Sequence, residues 1–130
     1  MAAENQIHSC PFCQIDTSRI LLANDLAVAI VDGYPVSPGH SLIIPRHIAS
    51  VFEATAAEQT ALWELVVKTR ELLQAERQPD GFNIGINDGE AAGQTVMHLH
   101  IHLIPRYAGD APDPRGGIRW VRPEKAPYWK

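Results

Sequence analysis

His98, His100 and His102 occupy every second position of a segment in which Met97, Leu99, Ile101 and Leu103 fill the gaps. On a strand this spacing puts three imidazoles on one side and four apolar side chains on the other. Same-side neighbours then lie roughly 6.6 Å apart along the backbone, close enough to share a phosphate, a metal ion or a hydrogen-bond chain. A solvated polar face would usually draw on Lys, Glu, Thr and Arg rather than on half of the chain's six histidines. Two catalytic chemistries compete for them. Three imidazoles commonly hold a catalytic zinc with an open fourth position, which would make a zinc-dependent hydrolase, but all three would have to converge from one flat strand. In the other chemistry a neutral imidazole, mostly unprotonated at pH 7, attacks phosphorus without a strong base. It then leaves readily from the cationic phosphoramidate, so one slow displacement becomes two easier ones. The flanking histidines would orient the nucleophile and stabilise or protonate the departing oxygen. A non-catalytic nucleotide- or zinc-binding module is the third reading.

Cys10 and Cys13 stand two residues apart and are the only cysteines. They are too few for a disulfide-stapled scaffold, which leaves a structural zinc half-site, a redox pair of glutaredoxin type or two buried thiols. A redox pair should follow a strand, open a helix and later meet a proline-preceded loop. This pair precedes every strand pattern, and Thr95-Val96-Met97 lacks that proline. Zinc would need two further ligands, for which His47 and His98 are the candidates. His8 is a spare that reads more readily as a surface residue.

The elements that must position these groups are legible as patterns. Leu26–Val31 reads as a buried strand closed by Asp32-Gly33, and Ser41–Ile44 as a second. The pair would be antiparallel, joined by an ordered loop containing Pro35, Ser37, Pro38 and Gly39. Thr55-Ala-Ala-Glu58 is a capping box, after which Leu62, Leu65, Val66, Thr69, Leu72 and Leu73 recur at helical spacing until Pro79-Asp80-Gly81. This one long helix is expected to cover a sheet face. Phe82–Ile86 reads as a third strand, 87–93 as a polar loop and Thr95–Ile104 as a fourth strand. The tail from Ala108 to Lys130 carries Pro112, Pro114, Pro123 and Pro127, which disfavour regular structure. Its Trp120, Tyr128 and Trp129 are costly to leave in water, so the tail should pack on the domain or on a partner subunit.

Composition bounds the rest. The 130 residues suit one domain, and 45% hydrophobic with 20% charged residues is too apolar for disorder. A net charge of −4 excludes a protein that grips long nucleic acid through phosphate neutralisation. No run approaches the roughly 20 apolar residues of a membrane span, and the start lacks a signal-peptide pattern, so a cytosolic protein is expected.

Gly93-Gln-Thr-Val-Met-His-Leu-His-Ile-His-Leu-Ile-Pro-Arg-Tyr-Ala-Gly-Asp110, together with Val36-Ser-Pro-Gly-His-Ser-Leu-Ile-Ile-Pro45, resembles the two signature segments of the histidine-triad family. The resemblance runs from about Cys10 to Asp110. It implies an α+β fold, a mainly antiparallel five-stranded sheet with one long helix, as a homodimer whose sheets run together. It implies nucleotide hydrolase or nucleotidyltransferase activity at the α-phosphate, with His100 as nucleophile and His102 near the scissile bridge. His40 would hydrogen-bond toward the triad, Asp32 would hold the ribose hydroxyls, and Asn87, Gln94 and Thr95 would contact the phosphates or leaving group. Backbone amides of the 88–93 loop, ending at Gly93, would assist. Phe12, Ile15 and Ile30 are the positions for the base, with core packing an equal alternative for each. The related uridylyltransferases imply that Cys10, Cys13, His47 and His98 form a closed structural zinc site, with no organic cofactor. The motifs look closer to the branch that cleaves dinucleoside polyphosphates, such as diadenosine tri- and tetraphosphate, than to the phosphoramidate branch. The cysteine pair and Trp-rich tail depart from both, and Trp129 could contact substrate or the other subunit.

Overall fold

The capping box at Thr55 forms as its residues predict. The Thr55 hydroxyl accepts from the Glu58 N–H at 3.1 Å while the Glu58 carboxylate accepts from the Thr55 N–H at 2.9 Å. This starts helix α1 (Ala56–Arg77), which ends where Gln78 turns left-handed at φ 46° ahead of Pro79. Glu58 also takes Arg46 through two guanidinium bonds of 2.7 and 3.2 Å, and that contact above all holds its carboxyl down to about 2. The computed structural model describes residues 10–129. His8 lies outside the described residues. Among the described residues no helix is long and apolar enough to cross a membrane.

The strands are β1 (Ile20–Ala23), β2 (Val28–Val31), β3 (Ser41–Ile44), β4 (Gly81–Gly85) and β5 (Ile101–Arg106). They form one sheet in the order β1-β2-β3-β5-β4, every neighbouring pair antiparallel. The fold class is therefore the expected one, an α+β arrangement of a five-stranded sheet and one long helix. Ala29, Ile43, Ile101 and Leu103 face α1 and form the main core with Leu62, Leu65, Val66 and Leu73. Ile30, Leu42 and Ile44 point to the other face, where Phe12 and Ile15 pack on them. Leu42 pairs with His102, so the same face carries the histidines.

The boundaries differ from the sequence expectation in three instructive places. Strand β1 adds to the pattern-read strands. It is a short edge strand with an irregular register between Ile20 and Leu22, and four apolar residues carry little periodicity. Leu26 and Ala27 belong to a turn, because the Asn24 carboxamide accepts from both their N–H groups at 3.0 and 2.9 Å. Thr95–His100 is not strand. Beyond Ile44 the partner strand reaches Pro45, which has no N–H to offer, and Leu99 instead donates to the Ile48 carbonyl at 2.6 Å. Met97 is accordingly 46% exposed rather than in the core, whereas Leu99, Ile101 and Leu103 are buried as the alternation predicts.

The tail forms only 3-10 turns, Gly117–Val121 and Pro123–Lys125. It packs beside β4, with Ile118 3.6 Å from where a Cβ on Gly85 would sit. Arg119 closes it by donating to the Ala126 and Lys125 carbonyls, both at 2.8 Å, and Arg115 lies over the Trp129 ring at 4.6 Å.

Candidate active site and metal cluster

The end of β3 and the segment entering β5 place two distinct groups of side chains side by side. In the first, Cys13 Sγ is 3.0 Å from His47 Nδ1 and 3.5 Å from His98 Nδ1, and Cys10 Sγ is 3.3 Å from His98 Nδ1. All four donor atoms lie within 4.8 Å of one another. Tetrahedral bonds of 2.0 to 2.3 Å would separate zinc ligands by roughly 3.3 to 3.8 Å, so the set needs little adjustment. The proton on His98 is placed by its partner. Nε2 faces the Pro45 carbonyl at 2.8 Å, and a carbonyl only accepts, so Nε2 carries the hydrogen and Nδ1 offers its lone pair to the cysteines. Burial, then the neighbouring Cys10 thiol, pushes Cys13 up to about 11 in the absence of a cation.

The second group is a chain of imidazoles whose tautomers follow from the same bookkeeping of donors and acceptors. The Val36 N–H donates to His40 Nδ1 at 3.1 Å, so the His40 hydrogen sits on Nε2. That nitrogen is 3.0 Å from His102 Nδ1 and 3.3 Å from the Asp32 carboxylate. His102 Nδ1 therefore accepts, and its Nε2 carries a hydrogen for a ligand. His100 has the opposite arrangement. Its Nδ1 lies 2.7 Å from the His98 carbonyl and must donate to it, leaving a lone pair on Nε2. Burial, then the His100 and His40 charges, brings His102 down to about 4 against the pull of Asp32, so it is neutral at pH 7. Burial also lowers His40 and His98.

These directions decide against one point of convergence for the triad. His98 turns toward the cysteines, His100 is oriented by a backbone carbonyl, and the His40 Nε2 already bears the proton that a metal would have to displace. Asp32, His40 and His102 do bring three donor atoms together. Ligation by His40 would set an Nδ1 hydrogen against the Val36 N–H, so the geometry is that of a hydrogen-bond relay.

The apolar candidates gather where expected. Phe12 packs on His100 with ring centroids 4.9 Å apart and joins Ile15 beside Ile30. Ile30 itself is fully buried, so Phe12 and Ile15 are the exposed edge of this patch. Leu42 and Ile44 complete it, and the period-two pattern of β3 was the signal that could have named them. The loop after β4 is built around Gln94. Its Oε1 accepts from the Gly89 N–H at 2.8 Å, and its Nε2 donates to Ala49 and Val96 carbonyls at 2.9 and 3.1 Å. The Gln94 amide thus braces the loop, with Gly89 and Gly93 at φ 97° and 96°, conformations that favour glycine. Thr95 is exposed and lines a cavity of about 690 Å³ with Pro11, Arg46, His47 and Met97. Asn87 is half-buried, and among the described residues its side chain has no hydrogen bond.

A family model described as HIT domain matches residues 14–109. The chain belongs to the HIT domain family. The match takes in Asp32, His40, His47 and the whole triad, and it leaves Cys10, Phe12, Cys13 and the tail from Asp110 onward outside. The HIT chain is 37% identical over 109 residues to an uncharacterised HIT-like protein of Mycoplasma genitalium, covering 80% of this chain and 77% of that one. It is 40% identical over 97 residues to a bis(5'-adenosyl)-triphosphatase of Dictyostelium discoideum, covering 74% of this chain and 65% of that one. Among solved structures, a zinc-bound histidine triad family protein from Mycobacterium smegmatis superposes with a TM-score of 0.71 at 30% identity. That alignment covers 90% of this chain and 93% of the other.

Proposed function

We propose that this HIT protein transfers the nucleotidyl group of small nucleotides to His100 and then to water, acting at the α-phosphate. The observation that carries the proposal is the His100 Nδ1–H bond to the His98 carbonyl at 2.7 Å, which leaves the Nε2 lone pair as the nucleophile. That lone pair forms the N–P bond as the bond from phosphorus to the leaving group breaks. The His102 Nε2–H, held by His40, hydrogen-bonds the departing atom, which leaves with the bonding electron pair and takes its proton from solvent. In the second step water attacks phosphorus, the imidazole departs with its electron pair, and the proton lost by water passes to solvent.

The other expected roles extend the same reading. Phe12 and Ile15, backed by Ile30, form an apolar surface for the base, and the Asp32 carboxylate accepts two ribose hydroxyls. Asn87, Thr95 and the amides of the 88–93 loop face the phosphates, while Gln94 serves them by holding the loop. Relatives named for bis(5'-adenosyl)-triphosphatase and bis(5'-nucleosyl)-tetraphosphatase activity support dinucleoside polyphosphates as the substrate class. Cys10, Cys13, His47 and His98 are proposed to hold a structural zinc that fixes the segment two residues from the nucleophile. The HIT resemblance further supports a homodimer.

Hydrolysis of diadenosine triphosphate, diadenosine tetraphosphate and an adenosine phosphoramidate in ¹⁸O-labelled water tests the reaction. The expected result is AMP carrying one solvent oxygen, lost in His100→Gln. Undiminished turnover by that variant would overturn the assignment.

A further inference from the structure

Arg19 places its guanidinium beside Gly33, next to the proposed nucleoside site. One of its five N–H groups is held, Nη2 donating to the Val31 carbonyl at 2.9 Å. The same nitrogen lies 3.6 Å from where a Cβ on Gly33 would stand, so it occupies the side-chain space next to Asp32, the proposed ribose acceptor. Ile20, the next residue, pairs with Ile30, whose side chain lies under Phe12 and Ile15. The guanidinium thus lies one residue from the proposed ribose acceptor, at the start of the strand that pairs with Ile30.

It is also available. Arg46, Arg106, Arg115 and Arg122 each have a carboxylate within 4.0 Å, whereas among the described residues Arg19 has none. The nearby Asp16 uses its Oδ1 to accept from the Ser18 N–H at 2.9 Å and attracts the Arg19 charge only from beyond ion-pair distance. Arg19 is half-buried, and the Val31 carbonyl fixes the orientation of its planar fork.

We propose that Arg19 reads the base edge and makes this protein prefer guanosine over adenosine as the nucleoside it transfers. This rests on the nucleotide reading of the site. A planar fork of N–H donors matches the adjacent O6 and N7 acceptors of guanine, whereas adenine sets an amino donor beside its N7. Pyrimidines lack N7 altogether. The discrimination acts in binding, because the base edge is remote from the phosphorus at which bonds change.

The test compares GMP and AMP binding by calorimetry, and guanosine and adenosine phosphoramidate turnover, in the full chain and in Arg19→Met and Arg19→Lys. The expected wild-type preference for guanosine is about fivefold or more, a value typical of one good bidentate pair, and it resides in KM rather than kcat. Arg19→Met should bring the ratio near one by raising KM for the guanosine substrate more than for the adenosine one, and Arg19→Lys, which lacks the planar fork, should not restore it. Equal affinity for GMP and AMP in the wild type, or an equal loss for both in Arg19→Met, would overturn the inference while leaving the nucleotide site standing. Failure of both mononucleotides to bind would instead sink the nucleotide reading on which it rests.

Discussion

Replacing His40 isolates the relay from the nucleophile. His40 is 3% exposed and joins the Val36 N–H at 3.1 Å to His102 Nδ1 at 3.0 Å. His40→Leu removes both bonds, leaving His102 without the donor that fixes its Nε2–H tautomer. Each lost partner of a buried polar group costs about 1–3 kcal/mol. If one such loss falls on the transition state, kcat drops by roughly 5- to 150-fold, since about 1.4 kcal/mol is a factor of ten. The drop should depend on the leaving group. Adenylyl substrates with basic leaving groups lean on the His102 hydrogen bond to the developing charge and should suffer the full loss, whereas those with acidic leaving groups should lose little. His40→Gln keeps an N–H for His102 and an oxygen for Val36, and should retain most of the activity. Circular dichroism and thermal melting of both variants separate misfolding from loss of the relay. The same loss for every leaving group, or wild-type kinetics for His40→Leu with a basic leaving group, would refute the tautomer reasoning.

Three further outcomes follow from the geometry. Metal analysis of the purified protein should give about one zinc per chain, and Cys13→Ser or strong chelation should lower the melting temperature and the activity together; a metal-free protein of full stability would remove zinc from the account. Stability should fall as pH drops from about 6.5 toward 4, because the buried His102 resists a proton that the unfolded chain accepts, so the unfolded state binds more protons across that window. A shift of that size amounts to a few kcal/mol, and His102→Asn should flatten the dependence of denaturant midpoint on pH. Gln94→Ala strips three bonds from a buried brace, so it should cost about 1–3 kcal/mol in chemical denaturation and raise KM as the 88–93 loop loosens.

The alternation around His98–His102 marked the candidate site because a period of two is a strong signal, and it was right about the face that Leu99, Ile101 and Leu103 choose. It misjudged Thr95–His100 because the hydrogen bonds there go to Ile48 and Pro45, partners no local pattern reveals. The Thr55–Glu58 cap and the helix it starts were legible because every bond involved is local. Strand β1 was not, since an edge strand with a bulge leaves only a four-residue apolar run. The two cysteines and two histidines of the candidate metal site are separated by up to 88 residues, so residue type nominated them and only the fold could gather them. The direction of the His100 proton was unreadable in sequence, because its acceptor is a backbone carbonyl.

The most direct test of the central proposal is to mix wild-type protein with diadenosine triphosphate, quench in alkali within one turnover, and weigh the intact chain. The expected spectrum shows a species heavier by one adenylyl group, absent from His100→Gln, with peptide mapping placing the group on His100. Full turnover with no adduct at any quench time, or an adduct that persists in His100→Gln, would contradict it.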